Sequence, residues 1–147
     1  VDGWHIEGCP VNGPALAANG ARLLVVWPTL VGQGFELRYA LGEPAGEFAT
    51  SVLATGAPVS GRVDAAAWGE GFLATWVSRA RDRPAFEYVA IDMAGRASAP
   101  RTLVEPTAKG RAAGFPRLAS SGDVALFAWT ESSGEGATNV ALALLKR

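Results

Sequence analysis

The apolar positions of the chain fall into short runs separated by glycine, proline and small polar residues, and the runs recur. Ala21-Arg22-Leu23-Leu24-Val25-Val26, Glu70-Gly71-Phe72-Leu73-Ala74-Thr75 and Asp123-Val124-Ala125-Leu126-Phe127-Ala128 each follow a glycine and lead into a tryptophan. Gly20, Gly69 and Gly122 stand seven residues before Trp27, Trp76 and Trp129, so the pattern repeats at offsets of 49 and 53 residues. These runs are rich in strand formers and predict strands that end in the tryptophan. Upstream of each glycine, Pro14-Ala15-Leu16-Ala17, Val63-Asp64-Ala65-Ala66-Ala67 and Pro116-Arg117-Leu118-Ala119 predict a preceding strand. Hairpin turns at Asn19-Gly20, Gly69-Glu70 and Gly122-Asp123 join each pair.

The correspondence continues downstream. Phe35-Glu36-Leu37-Arg38-Tyr39-Ala40 and Phe86-Glu87-Tyr88-Val89-Ala90-Ile91 alternate like third strands and place Tyr39 and Tyr88 twelve residues after Trp27 and Trp76. Thr50-Ser51-Val52-Leu53 and Arg101-Thr102-Leu103-Val104 predict fourth strands, whereas the third copy ends with Val140-Ala141-Leu142-Ala143-Leu144 and has none. Trp4-His5-Ile6-Glu7 precedes the first copy where Val52-Leu53 and Leu103-Val104 precede the others, and reads as an outer strand without its own blade.

Four-stranded repeats of about 50 residues with an aromatic signature describe β-propeller blades, and propellers close with about 4 to 8 of them. The predicted fold is therefore all-β, a β-propeller of three four-stranded blades at about 14–59, 61–108 and 114–147, with 1–13 as the outer strand of another blade. Three blades do not close. The unit is expected to be half of a six-bladed ring, completed by a second copy of itself or by a missing segment, since an open wedge leaves edges and end faces exposed. A two-sheet sandwich fits the length too, but does not call for a repeated glycine-to-tryptophan spacing.

Composition narrows the function classes. With 13 Lys plus Arg against 14 Asp plus Glu, the formal net charge is −1, and no electrostatic nucleic-acid or membrane partner is indicated. Apolar residues make up 49% and charged ones 18%, a composition that folds. The longest apolar stretches, Leu23 to Trp27 and Val140 to Leu145, fall far short of the roughly 20 residues of a spanning helix. Val1 is not an initiator and no basic, apolar leader precedes the repeats, so the chain reads as a processed, trimmed or partial product. Cys9 is the single cysteine, which excludes an internal disulfide and a multi-cysteine zinc site but leaves pairing with another chain or a missing segment open. His5 is the single histidine and has no recognisable triad partner. Neither a calcium loop nor a phosphate-cradling glycine motif occurs, so no metal and no cofactor is expected.

The stretch from Asp2-Gly3-Trp4-His5 through Pro14-Ala15-Leu16-Ala17, together with Gly61-Arg62-Val63-Asp64 and Gly114-Phe115-Pro116-Arg117-Leu118-Ala119, resembles bacterial sialidase-like (BNR-repeat) six-bladed propellers in their C-terminal half. The resemblance implies a sialidase-like propeller that is secreted or periplasmic. The family's Asp box, Ser-x-Asp-x-Gly-x-Thr-aromatic, maps onto Leu41, Glu43, Ala45, Glu47 and Phe48, of which the aromatic and a carboxylate survive. In the second copy Asp92-Met93-Ala94-Gly95 is a tight turn of another length. Such a box is structural, its side chains satisfying backbone donors as Asx-turns do.

Sialidases of this family use an arginine triad for the substrate carboxylate, a Tyr nucleophile with a Glu partner, and an Asp acid/base. Arg62 and Arg117, in segments entering innermost strands, are the candidates for carboxylate binding, because a guanidinium presents a planar fork to a carboxylate. Tyr39 and Tyr88 repeat at one blade position, which predicts packing rather than nucleophilic chemistry. Asp64, Glu70, Glu87 and Asp92 offer no pair fixed by spacing, and the usual acid would belong to the absent half ring. Arg79, Arg81 and Arg83 crowd the connection between second and third strands of the middle copy, a locally basic loop or a solvated hairpin tip. Trp68 offers either a stacking platform for a sugar or a packed turn residue. Together these features predict a binding and interaction module without complete catalytic machinery that meets a glycan or protein on one ring face. The alternatives are an exo-sialidase-type hydrolase completed by another half ring, and a structural oligomerisation module.

Overall fold

The computed structural model describes residues 13–32, 34–55, 61–80, 83–107, 115–133 and 137–147, and the side chains of 79, 80 and 83 lie outside the description. The described residues are all-β. Strands β1 (Ala15–Asn19), β2 (Arg22–Val31), β3 (Gly34–Gly42) and β4 (Ala49–Thr55) form a first antiparallel sheet in chain order. Strands β5 (Asp64–Trp68), β6 (Gly71–Ala80), β7 (Arg83–Ile91) and β8 (Arg101–Val104) form a second, and β9 (Arg117–Ser121), β10 (Val124–Ser132) and β11 (Thr138–Lys146) a three-stranded third. The expected outer strand at Trp4 to Glu7, with His5 and Cys9, falls outside the described residues.

Each inner hairpin turns on two residues, Gly20-Ala21, Gly69-Glu70 and Gly122-Asp123, closed by Asn19 opposite Arg22, Trp68 opposite Gly71 and Ser121 opposite Val124. The leading glycines have φ of 58°, 55° and 56°. A type II′ turn requires glycine at its first central position, which is why the first turn sits one residue later than Asn19-Gly20. The second strands also run past their tryptophans, to Val31, Ala80 and Ser132, rather than ending there. Pairing with the third strand continues without interruption, for example from Trp27 opposite Arg38 to Val31 opposite Gly34. Pro28 is tolerated inside β2 because β1 begins opposite Val26, so at Pro28 no ladder bond is demanded on that side.

The second sheet lies between the other two. Innermost strand β1 approaches β5, and β5 approaches β9, while the outer strands of neighbouring sheets come no comparably close. The sheets thus converge inward and splay outward, as blades do. Alternation across each strand sends one set of side chains to each neighbour. Leu24, Val26, Leu37, Tyr39 and Leu41 of the first sheet pack on Phe72, Ala74, Trp76, Val89 and Ile91 of the second. On its other face the second sheet offers Leu73, Val77, Phe86 and Tyr88 to Ala125, Phe127 and Trp129 of the third. Phe86 meets Trp129 edge-on at 5.9 Å, and Tyr88 tilts against Phe127 at 6.0 Å. Both repeated tyrosines are buried, and Tyr39 donates its hydroxyl to the Gly95 carbonyl at 2.6 Å. The tryptophans share one blade position: Trp76 and Trp129 are buried against the preceding sheet, while Trp27, on the face of the first sheet turned away from the second, is half-buried.

Candidate functional site

Sequence-predicted site residues divide between two ends of the blades. At the end where β5 and β9 begin, Arg62 and Phe115 each stand two residues before their strand. Gly61 and Arg62 both adopt the left-handed backbone region, with φ of 76° and 55°. For arginine this conformation costs on the order of 1 kcal/mol. The surrounding contacts hold it: the Gly61 carbonyl accepts the Val77 N–H at 3.1 Å, and the Arg62 guanidinium lies over the Phe115 ring at 5.1 Å. The backbone reversal thus aims a cation across the blade junction onto an exposed aromatic face.

Beside it, Asp64 opens β5 and reaches the same junction. Its Oδ1 accepts its neighbour Ala65 N–H at 2.9 Å, and its Oδ2 accepts the Leu118 N–H at 2.9 Å across the junction. Arg117 Nε stands 3.4 Å from that Oδ2, with the arginine side chain 79% exposed and the aspartate side chain 14%. Asp64 therefore ties blade to blade through a backbone donor, while the Arg117 side chain stays largely exposed. Arg62 and Arg117 belong to one inter-blade junction, each with a partner there. The junction thus carries the Arg62 guanidinium over an exposed aromatic ring and the exposed Arg117 beside a half-buried carboxylate. Exposed guanidinium groups of this kind can pair with a planar anion.

The end of β6 and the start of β7 lie at the same end of the second sheet, where Arg79 pairs with Pro84 and Ala80 with Arg83 along the backbone. Arg81 lies outside the described residues, as do the side chains of the other two. Also at this end, Glu131 accepts the Trp129 indole N–H at 2.9 Å and the Thr107 N–H at 2.9 Å, fastening the exit of β8 to the third blade.

Trp68 occupies the opposite end, because it closes the five-residue strand that Asp64 opens, roughly 13 Å away at strand rise. Its indole N–H donates to the Asp123 carbonyl at 3.0 Å, and its ring packs with the second core. Together with Glu70, Phe72, Met93, Arg96 and Arg147 it lines a cleft of about 350 Å³. The turn above is organised by Asp92, whose Oδ1 accepts the N–H groups of Ala94 and Arg96 at 2.9 Å each and whose Oδ2 accepts Arg96 Nε at 2.7 Å. The Arg96 backbone and guanidinium donors hold the Asp92 carboxyl below its ordinary value, with Ala94 N–H adding to the effect. This is the backbone-satisfying role expected of a turn carboxylate. In the first blade, Gly46 N–H bonds the Glu43 carbonyl at 3.0 Å instead, and Phe48 closes over Gly42.

Sequence reasoning missed Phe115 as the partner of Arg62, and Asp64 as the anchor of the second junction. The signal was present in the repeat, since Arg62 and Phe115 occupy equivalent places before consecutive inner strands. Among the described residues no three His, Cys, Asp or Glu side chains gather as metal ligands would. No family model and no curated protein matches the chain.

Proposed function

We propose that the chain is a sialidase-like propeller segment that works as a binding module, meeting a carboxylate-bearing glycan at the junction of its second and third blades on the end where β5 and β9 begin. The supporting observation is the Arg62–Phe115 stack, held by a left-handed backbone, beside the exposed Arg117. An aromatic face suits the apolar side of a sugar, and guanidinium donors suit its carboxylate. Hydrolysis would need an acid and a nucleophile placed around the same anion, and the two tyrosines are core residues. A glycan-facing role of this kind fits a secreted or periplasmic protein.

Titration with sialyllactose and with neutral lactose, followed by calorimetry, tests the reading. Sialyllactose should bind and lactose should not, and Arg117→Ala should weaken binding roughly 10-fold or more, the loss of one charge-assisted hydrogen bond. Equal binding of both sugars, or no binding of either, would dismiss the glycan reading in favour of a protein partner on this face. Release of free sialic acid during the titration would replace it with the hydrolase.

A further inference from the structure

The faces that the first and third sheets turn away from the second repeat, position for position, the faces that pack inside the chain. In the third sheet Leu126 pairs with Leu144, Ala128 with Leu142 and Thr130 with Val140. The same places in the first sheet are Leu24 with Leu41, Val26 with Tyr39 and Pro28 with Leu37, and in the second Leu73 with Ala90, Thr75 with Tyr88 and Val77 with Phe86. Where a following blade is present these positions are sealed, the half-buried Ala90 apart: Leu24, Leu73, Leu37 and Phe86 are 0% exposed, Tyr39 4% and Tyr88 6%. In the third sheet Leu126 is 38% exposed, Leu142 61%, Leu144 65% and Val140 75%.

The first sheet has the complementary face. Leu23, Val25 and Trp27 stand where Phe72, Ala74 and Trp76, and then Ala125, Phe127 and Trp129, insert against the preceding blade. Leu16 holds the place of Ala65 and is 70% exposed against 7%. Junction hydrogen bonding repeats as well. Asn19 donates from its side chain to the Gly69 and Gly71 carbonyls at 3.0 and 2.8 Å, and Trp68, at the equivalent place, donates to the Asp123 carbonyl. Ser121 holds that place on the third blade and carries a hydroxyl donor.

We infer that these two faces meet in a second copy of the chain, which closes head to tail with the first into a six-bladed ring. The face of the third sheet continues an interface already formed twice inside the chain, and the face that fits it stands at the first sheet of another copy. Two copies, each with three sheets among the described residues, give six blades, within the about 4 to 8 at which rings close. One two-fold axis along the ring relates two identical junctions, and each apolar row is covered. The inference concerns the end faces and does not rest on ligand binding, so mass measured without ligand separates its failure from that of the glycan reading.

Light scattering of the purified chain at about 50 μM, a concentration at which an interface of standard size is occupied, should give about 30 kDa, twice the 15.2 kDa of one chain. Leu142→Glu and Leu16→Lys, on opposite end faces and both exposed within one chain, should each give about 15 kDa with unchanged far-UV circular dichroism. Mixed together they should regain about 30 kDa, because the pair retains one unaltered junction. Wild-type chain at about 15 kDa would overturn the inference and point to blades from another polypeptide. A dimer that survives Leu16→Lys would overturn it too, since pairing through the β11 edge does not involve the first sheet. Failure of the mixture to reassociate would exclude a head-to-tail arrangement.

Discussion

Among the described residues Trp76 is the largest fully buried side chain and joins the first and second blades, yet its indole N–H finds no hydrogen-bond partner among them, nor does the buried hydroxyl of Ser78 two residues on. The third blade shows what is absent: Glu131, at the place of Ser78, reaches the Trp129 N–H at 2.9 Å. Serine is too short to do the same. Replacing Trp76 therefore separates two effects. Trp76→Ala removes the whole ring system and should cost about 3 to 5 kcal/mol, the range for a large aromatic truncated in a core. Trp76→Phe removes on the order of 40 Å³, which at about 24 cal/mol per Å³ costs roughly 1 kcal/mol. It also deletes an unpaired buried donor whose desolvation costs about 1 to 3 kcal/mol. The two contributions oppose each other, so Trp76→Phe should lie between the stability of the parent and about 2 kcal/mol above it. Urea unfolding followed by far-UV circular dichroism, which does not depend on the altered fluorophore, reads both values. A phenylalanine variant as unstable as the alanine variant would refute the unpaired-donor argument. An alanine variant losing less than about 1 kcal/mol would refute the placement of Trp76 in a close-packed junction.

Other expectations follow from the junctions and turns. Asp64→Ala should destabilise by about 1 to 3 kcal/mol because the Leu118 N–H is left unpaired, whereas Arg117→Ala, largely solvated, should change stability by less than about 1 kcal/mol; denaturant titration of both checks the order. Gly71→Ala should be far more damaging than Gly20→Ala, since a Cβ at Gly71 meets the Ile91 carbonyl while at Gly20 it meets open space and only the positive φ opposes it; thermal melts of the pair report the difference. Because the folded-state pKa of Asp92 is depressed, its contribution is present above the unfolded carboxylate value and is lost as pH falls through the folded one; stability measured between about pH 7 and pH 2 should show a component that Asp92→Asn removes.

The repeat was legible because it is written in residue types with one physical use each. Glycine leading a II′ turn and tryptophan facing the preceding blade recur at nearly constant spacing, and the two together locate the inner hairpins and second strands of all three sheets. Strand ends were not legible from that signal. Trp27, Trp76 and Trp129 mark a packing layer rather than a terminus, and only the third-strand register shows that pairing continues to Val31, Ala80 and Ser132. Burial of Tyr39 and Tyr88 could be read from their repetition, since residues at equivalent blade positions meet equivalent neighbours. The site was less legible because its contacts cross between blades. Arg62 and Arg117 stood out as arginines, but their partners Phe115 and Asp64 lie more than fifty residues away from them in the chain. Trp68 stood out as an aromatic near a turn, and which end of the blade it occupies depends on the length of β5, a feature of pairing rather than of residue type.

Equivalent faces of the three sheets meet within the chain, and the two outward ones are proposed to meet between copies. A crystal structure of the protein at dimer-forming concentration tests this most directly. It should show Trp27 buried at a junction with Leu126 and Leu142 of a second copy, in a ring of six blades with β1, β5 and β9 lining its centre. Trp27 and Leu142 both facing solvent, or three sheets whose innermost strands fail to converge, would contradict it.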